Sequence, residues 1–171
     1  MEKGYIHLYT GNGKGKTTAA FGLALRALMA GKRVYIGQFV KSMKYNETKI
    51  TELTDRIRIE QLGRGCFLTR DVEQIDKDMA AEALEKCSEL MQGNDYEVVI
   101  LDELTIAIHF GLITDEQVLE ALAKRNPAVE VVITGRYASD KLVEAADLVT
   151  EMREVKHYYQ QGVLSRDGID R

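Results

Sequence analysis

Apolar and polar residues alternate over Tyr5-Ile6-His7-Leu8-Tyr9, and a helical repeat of Phe21, Leu25, Leu28 and Met29 follows from Thr17 onward. The alternation predicts a strand, the repeat a helix over 17–30 with Gly31 as its stop. A run of apolar residues at 34–40 predicts a second, largely buried strand, and Ile57 and Ile59 mark a weaker third at 56–61. Between them the polar stretch 41–49 leaves the carboxyl edge of the sheet, where ligands bind in open α/β folds. Asp71 with Gln74 predicts the start of a long helix. Val72, Ile75, Met79, Ala83, Cys87, Leu90 and Met91 keep one of its faces apolar as far as Gly93. Val98-Val99-Ile100-Leu101 is the continuous β-branched and aliphatic run of a parallel strand covered on both faces. Thr114 with Gln117 predicts a capped helix that stops before Asn126-Pro127. Residues 129–134 read as a fifth strand, 139–146 as a short helix and 148–152 as a last strand, after which periodicity gives way to a polar tail.

Strands separated by helical patterns, without an internal repeat, predict an α/β three-layer arrangement with a mainly parallel sheet over one domain, 1–171. Composition narrows the partners. Of 171 residues 45% are hydrophobic and 29% charged, and a single proline argues against disordered linkers. A net charge of −4 gives no support to a nucleic-acid binder. No apolar run approaches the ~20 residues of a membrane span, and the N-terminus lacks the pattern of a signal peptide. Cys66 and Cys87 are too few for a disulfide framework or a zinc site, so reduced thiols in a cytoplasmic protein are expected.

The chemistry gathers where the first strand meets the first helix, at Thr10-Gly11-Asn12-Gly13-Lys14-Gly15-Lys16-Thr17-Thr18. Glycines let the backbone aim successive N–H groups at an anion, and the helix N-terminus adds about half a positive charge. Lys16 supplies a point charge and Thr17 a hydroxyl for Mg²⁺. Because Thr10 stands where the generic P-loop has glycine, the loop reads one residue short. Asp102-Glu103 closes an apolar strand as a Walker B-like pair, with one carboxylate expected on the metal. Arg136, after the fifth strand, is a candidate phosphate clamp or a surface ion-pair partner. His7 and His109 read as packing residues, and His157 has no role from composition. The residues alone leave hydrolysis, phosphoryl transfer and other nucleotide chemistry open.

Several stretches together resemble the P-loop type corrinoid adenosyltransferases. They are Thr10 to Gly22 with its short loop, Gln38-Phe39-Val40-Lys41, Leu101-Asp102-Glu103-Leu104, Ile133-Thr134-Gly135-Arg136, Val155-Lys156-His157, Gly162 and Gly168-Ile169-Asp170. The resemblance implies a P-loop NTPase-like (RecA-like) fold and transfer of the 5′-deoxyadenosyl group of ATP to the Co(I) centre of a reduced corrinoid. Triphosphate leaves intact, in adenosylcobalamin synthesis or salvage. It further implies ATP contacts from Gly11, Asn12, Gly13, Lys14, Gly15, Lys16, Thr17, Thr18, Lys41 and Arg136. Mg²⁺ or Mn²⁺ would be held by Thr17 and Glu103 with Asp102, and no general acid or base is expected. Corrinoid-facing positions would be Cys66, Phe67 and Leu68, where better-known members carry Gly-Phe-Thr-Trp across this loop, together with Lys156 and His157. A homodimer and a flavoprotein reductant belong to the same expectation. Two other classes stand beside it: a P-loop ATPase or small-molecule kinase, and a non-catalytic corrinoid- or nucleotide-binding module.

Overall fold

The computed structural model describes residues 2–43, 45–65 and 71–170. In chain order it contains β1 (Ile6–Thr10), α1 (Lys16–Met29), β2 (Val34–Gln38), β3 (Ile57–Gln61), α2 (Gln74–Gln92), β4 (Val98–Asp102), α3 (Leu104–His109), α4 (Asp115–Ala123), β5 (Glu130–Thr134), α5 (Asp140–Ala145) and β6 (Leu148–Glu151). Short 3₁₀ helices at Asn46–Glu52 and Tyr158–Gln161 interrupt the loop after β2 and the tail. The strands form one sheet in the order β3-β2-β4-β5-β1-β6. Every pairing is parallel, so the expected mainly parallel sheet is parallel throughout.

Alternate residues of each central strand feed two cores. Val98 and Ile100 of β4 join Val34, Ile36 and Val132 beneath Ala20, Ala24, Ala27 and Leu28 of α1. Val99 and Leu101 join Tyr35, Val131 and Ile133 on the opposite face, covered by residues of α2, α3, α4 and α5. This is the three-layer arrangement of a P-loop-like fold, and it explains why β4 is apolar at every position before Asp102. Because the sheet is parallel, the carboxyl ends of β1, β2, β4 and β5 all open on one edge.

The face of α1, the start of α2 and the placing of Ile75, which is 51% exposed, differ from expectation. The buried side of α1 is Ala20, Ala24 and Ala27 with Leu28, which is buried as expected, whereas Leu25 is 50% and Met29 77% exposed. Small side chains bring the helix close to the sheet and turn the larger residues outward. The entry of α2 lies two residues later than the Asp71–Gln74 pair. Glu73 is the N-cap, and its N–H donates to Asp76 Oδ2 at 2.9 Å in a capping box. Arg64 fixes this entry from outside, pairing with Glu73 at 2.9 Å and approaching buried Asp76 at 3.6 Å. The Thr114–Gln117 capping box forms as expected, with both reciprocal bonds present.

Glu60 is the hub of a charged cluster between β3 and α2. Its carboxylate accepts from the Tyr35 hydroxyl at 2.6 Å and pairs with Arg58 and Lys86, each at 2.6 Å. Burial pushes this carboxyl up, but Lys86, Tyr35 and Arg58 outweigh it and hold it down at about 2. A folded value below the unfolded ~4.3 contributes stability that is complete above the unfolded value and lost as pH falls through the folded one. We therefore expect the Glu60→Gln protein to lose about 2 kcal/mol at pH 7. Urea titrations should also show that its stability falls less steeply than that of the parent as pH drops from about 4 towards 2.

Candidate functional site

The loop after β1 turns through left-handed backbone at Gly11 (φ 96°) and Gly15 (φ 120°), which explains the spacing of its glycines. It rests against the chain leaving β6, where Gly13 N–H donates to the Met152 carbonyl at 2.7 Å. The turn then delivers Lys16 as the first residue of α1. Lys16 is 7% exposed, and its ammonium donates back to the Gly13 carbonyl at 2.7 Å. Burial lowers its pKa, with Glu103 acting in the opposite sense.

A cavity of about 620 Å³ opens above this turn. Gly13, Lys14, Gly15, Lys16, Thr17 and Thr18 line it, together with Lys41, Glu103, Arg136 and His157 from four other parts of the chain. Most of the sequence-derived nucleotide positions thus line one cavity. Gly11 and Asn12 belong to the turn but not to the lining, and Lys156 lies outside it as well. Cys66, Phe67 and Leu68 fall outside the described residues, as does Lys44 in the loop after β2.

The two carboxylates that end β4 have different surroundings. Asp102 is 0% exposed and accepts four hydrogen bonds. Its Oδ1 takes the hydroxyls of Thr17 (2.8 Å) and Thr134 (2.7 Å), and its Oδ2 takes Gln38 Nε2 and Lys41 Nζ, both at 3.0 Å. Glu103 lines the cavity with its backbone in the left-handed region, at φ 60° and ψ 24°. Among the described residues its carboxylate has no hydrogen bond or ion pair. Burial raises its pKa, Asp102 adds to that, and Lys41, Lys16 and Arg136 oppose it. For Lys41, burial acts against the ammonium, but Asp102, with Glu103 and Glu47, outweighs it and raises the pKa.

Such a site suits a polyphosphate and a hard divalent cation. Lys16, Lys41 and Arg136 bring positive charge to the lining, and the Thr17 hydroxyl keeps its lone pairs free because its proton is given to Asp102. No cluster of three or more His, Cys, Asp or Glu side chains able to hold a metal occurs among the described residues. Thr17 and the unpaired Glu103 carboxylate instead match the pattern of a Mg²⁺ held by one or two protein oxygens plus phosphates.

Several lining residues come from sequence that periodicity left unassigned. The tail folds back over the cavity, where Asp170 pairs with Lys14 at 2.7 Å and accepts from the Tyr158 hydroxyl. Asn46 Nδ2 donates to Asp167 Oδ1 at 2.7 Å and ties the tail to the loop after β2. Gly168, Ile169, Phe21, Tyr45 and Glu47 complete the wall. His157 Nδ1 accepts from Tyr159 N–H at 3.0 Å, which leaves the ring proton on Nε2 in the neutral form. Buried Gln38 and Thr134 lie in stretches that carry the family resemblance but have no site role among the expectations, and both donate to Asp102. The available signal was a polar residue ending an otherwise buried strand. His7 pairs with Glu130 at 2.5 Å on β1, away from the cavity, and exposed His109 stacks on Tyr137 with ring centroids 4.1 Å apart.

Residues 2–170 match the family model described as ATP:corrinoid adenosyltransferase BtuR/CobO/CobP. The corrinoid adenosyltransferase of Escherichia coli (strain K12) is 37% identical over 171 residues, covering 99% of this chain and 86% of that protein. That of Pseudomonas aeruginosa is 34% identical over 99% of this chain and 84% of its own length. Corrinoid adenosyltransferase CobA of Salmonella typhimurium is 35% identical over 99% and 86%. Among the described residues, no helix is long and apolar enough to cross a membrane. The chain belongs to the ATP:corrinoid adenosyltransferase family, transferases that adenosylate corrinoids at the expense of ATP.

Proposed function

We propose that this chain joins the 5′ carbon of ATP to the Co(I) centre of a reduced corrinoid and releases triphosphate in one piece. The cobalt electron pair forms the Co–C bond, the C5′–O bond breaks, and its electron pair leaves on the triphosphate oxygen. Cobalt rises formally from Co(I) to Co(III). The electrons that made Co(I) come from a separate flavoprotein, and the protein acts as a cytoplasmic homodimer.

The observation that carries this reading is the cation-lined cavity in a chain of this family, with Lys16, Lys41 and Arg136 around one unpaired carboxylate. A Co(I) nucleophile has no proton to lose, so the protein need only orient the nucleotide and stabilise negative charge on the leaving group. The loop from Gly11 to Thr18 would hold the triphosphate, with Lys41 and Arg136 as further contacts. Thr17 and Glu103 would hold Mg²⁺ or Mn²⁺, with Asp102 behind Thr17. When bound, that cation supplies charge neutralisation on the departing phosphate oxygens. Cys66, Phe67, Leu68, Lys156 and His157 remain the proposed corrinoid-facing positions.

Incubation with ATP, Mg²⁺ and chemically reduced cobalamin should yield a light-sensitive Co–C product and inorganic triphosphate in equal amounts. ADP or orthophosphate as the main product would overturn the proposal and favour an ATPase or kinase.

A further inference from the structure

The unpaired Glu103 carboxylate sits on a strained turn, and the residue that holds that turn carries no role in the proposed reaction. Glu103 adopts left-handed backbone at φ 60°, a region costly for a non-glycine residue unless its surroundings fix it. Its N–H donates to the hydroxyl of Thr134 at 3.0 Å. Thr134 is fully buried at the end of β5, and it gives its single hydroxyl proton to Asp102 Oδ1 at 2.7 Å. With the proton directed to Asp102, only a lone pair of Thr134 is left for the Glu103 N–H. Asp102 Oδ1 also takes the hydroxyl proton of Thr17 at 2.8 Å. One carboxylate oxygen therefore orients two hydroxyls: Thr17 directly beside the cavity, and Thr134 as the support of Glu103.

Building on the proposed function, we propose that Thr134 is a positioning residue for the divalent cation of the nucleotide. The continuous chain Thr17 Oγ1, Asp102 Oδ1, Thr134 Oγ1 and Glu103 N fixes both candidate cation-holding groups relative to one another. Thr134 is fully buried and is not among the residues that line the cavity. It acts by setting the backbone from which the Glu103 carboxylate projects. Valine at this position keeps the shape but removes both the proton for Asp102 and the acceptor for Glu103 N–H. Serine keeps both.

The test is binding of Mn²⁺ to the protein–ATP complex, followed by loss of the free Mn²⁺ electron paramagnetic resonance signal, beside ATP affinity measured in EDTA. Thr134→Val is expected to weaken Mn²⁺ binding by about 10–100-fold, the usual effect of losing a group that orients a metal ligand. ATP affinity in EDTA should stay within about threefold of the parent, because the phosphate loop is untouched. Thr134→Ser is expected to hold Mn²⁺ within about threefold of the parent. A folded Thr134→Val protein that binds Mn²⁺ as tightly as the parent overturns the proposal, and so does an equal loss of ATP affinity in EDTA. If the valine variant does not fold, the serine variant decides: retained Mn²⁺ affinity supports the assignment, and its loss overturns it. These readouts do not depend on which bond of ATP breaks, so ADP in the product assay would sink the proposed function and leave this result standing.

Discussion

Lys16→Ala is expected to lower kcat/KM for ATP by about a thousandfold while shifting Tm by only a few degrees. The magnitude is that of removing a charge-stabilising donor from a site where negative charge develops on a leaving group. The structure gives the reason for the asymmetry between activity and stability. Lys16 is buried among the residues that line the cavity, and among the described residues its ammonium has a single hydrogen bond, to the Gly13 carbonyl of its own turn. Losing that bond costs about 1 kcal/mol, a small shift for a chain of this size. In the proposed nucleotide complex, losing the charge beneath a polyphosphate would cost far more, because the buried ammonium would then face the anion directly. Steady-state kinetics with reduced cobalamin, alongside thermal unfolding, check both halves. Activity within tenfold of the parent would mean that the phosphates are gripped elsewhere.

Much of this site was legible because its signals are local. The Gly11–Gly15 spacing, Lys16 and Thr17 after it, and an acidic pair at the end of an apolar strand are short patterns with one physical use each. What escaped the sequence is long-range pairing between polar side chains. Nothing in the periodicity of residues 153–170 indicates that Asp170 closes on Lys14, or that Asp167 meets Asn46, because both contacts join residues far apart in the chain. The buried face of α1 matches expectation at Leu28 and departs from it at Leu25 and Met29 for a different reason. Hydrophobic spacing weighs Leu25 and Met29 above alanine, while close packing of the helix on the sheet buries Ala20, Ala24 and Ala27 beside Leu28. The Asp102-Glu103 pair shows the same limit at a single peptide bond. Successive residues at a strand end point to opposite surroundings, one sealed by four donors and one open to the cavity.

That division makes Asp102 the position where substitution should cost the fold most. Asp102→Ala leaves the Thr17 and Thr134 hydroxyls, the Gln38 amide and the Lys41 ammonium without their shared acceptor. Removing one partner of a buried ion pair costs about 3–5 kcal/mol, which for a chain of this length lowers Tm by roughly 10 °C. Asn is not a neutral replacement. Its oxygen still serves the two hydroxyls, but its NH₂ then faces Gln38 Nε2 and Lys41 Nζ, donor against donor. Gln38 resists a compensating flip because its Oε1 already accepts from Gln61 Nε2 at 2.9 Å. Lys41 is then left with the face of the Tyr45 ring, 5.2 Å from its ammonium, and the more distant charges of Glu103 and Glu47, while burial works against its charge unopposed by Asp102. Because the stranded ammonium accounts for much of the penalty, the double variant Asp102→Ala/Lys41→Met should be more stable than Asp102→Ala alone by about 1–3 kcal/mol. Urea unfolding of the four proteins measures that coupling. Strictly additive losses would mean that the Lys41–Asp102 contact contributes nothing to the folded state, and that the hub is held by its hydroxyls alone.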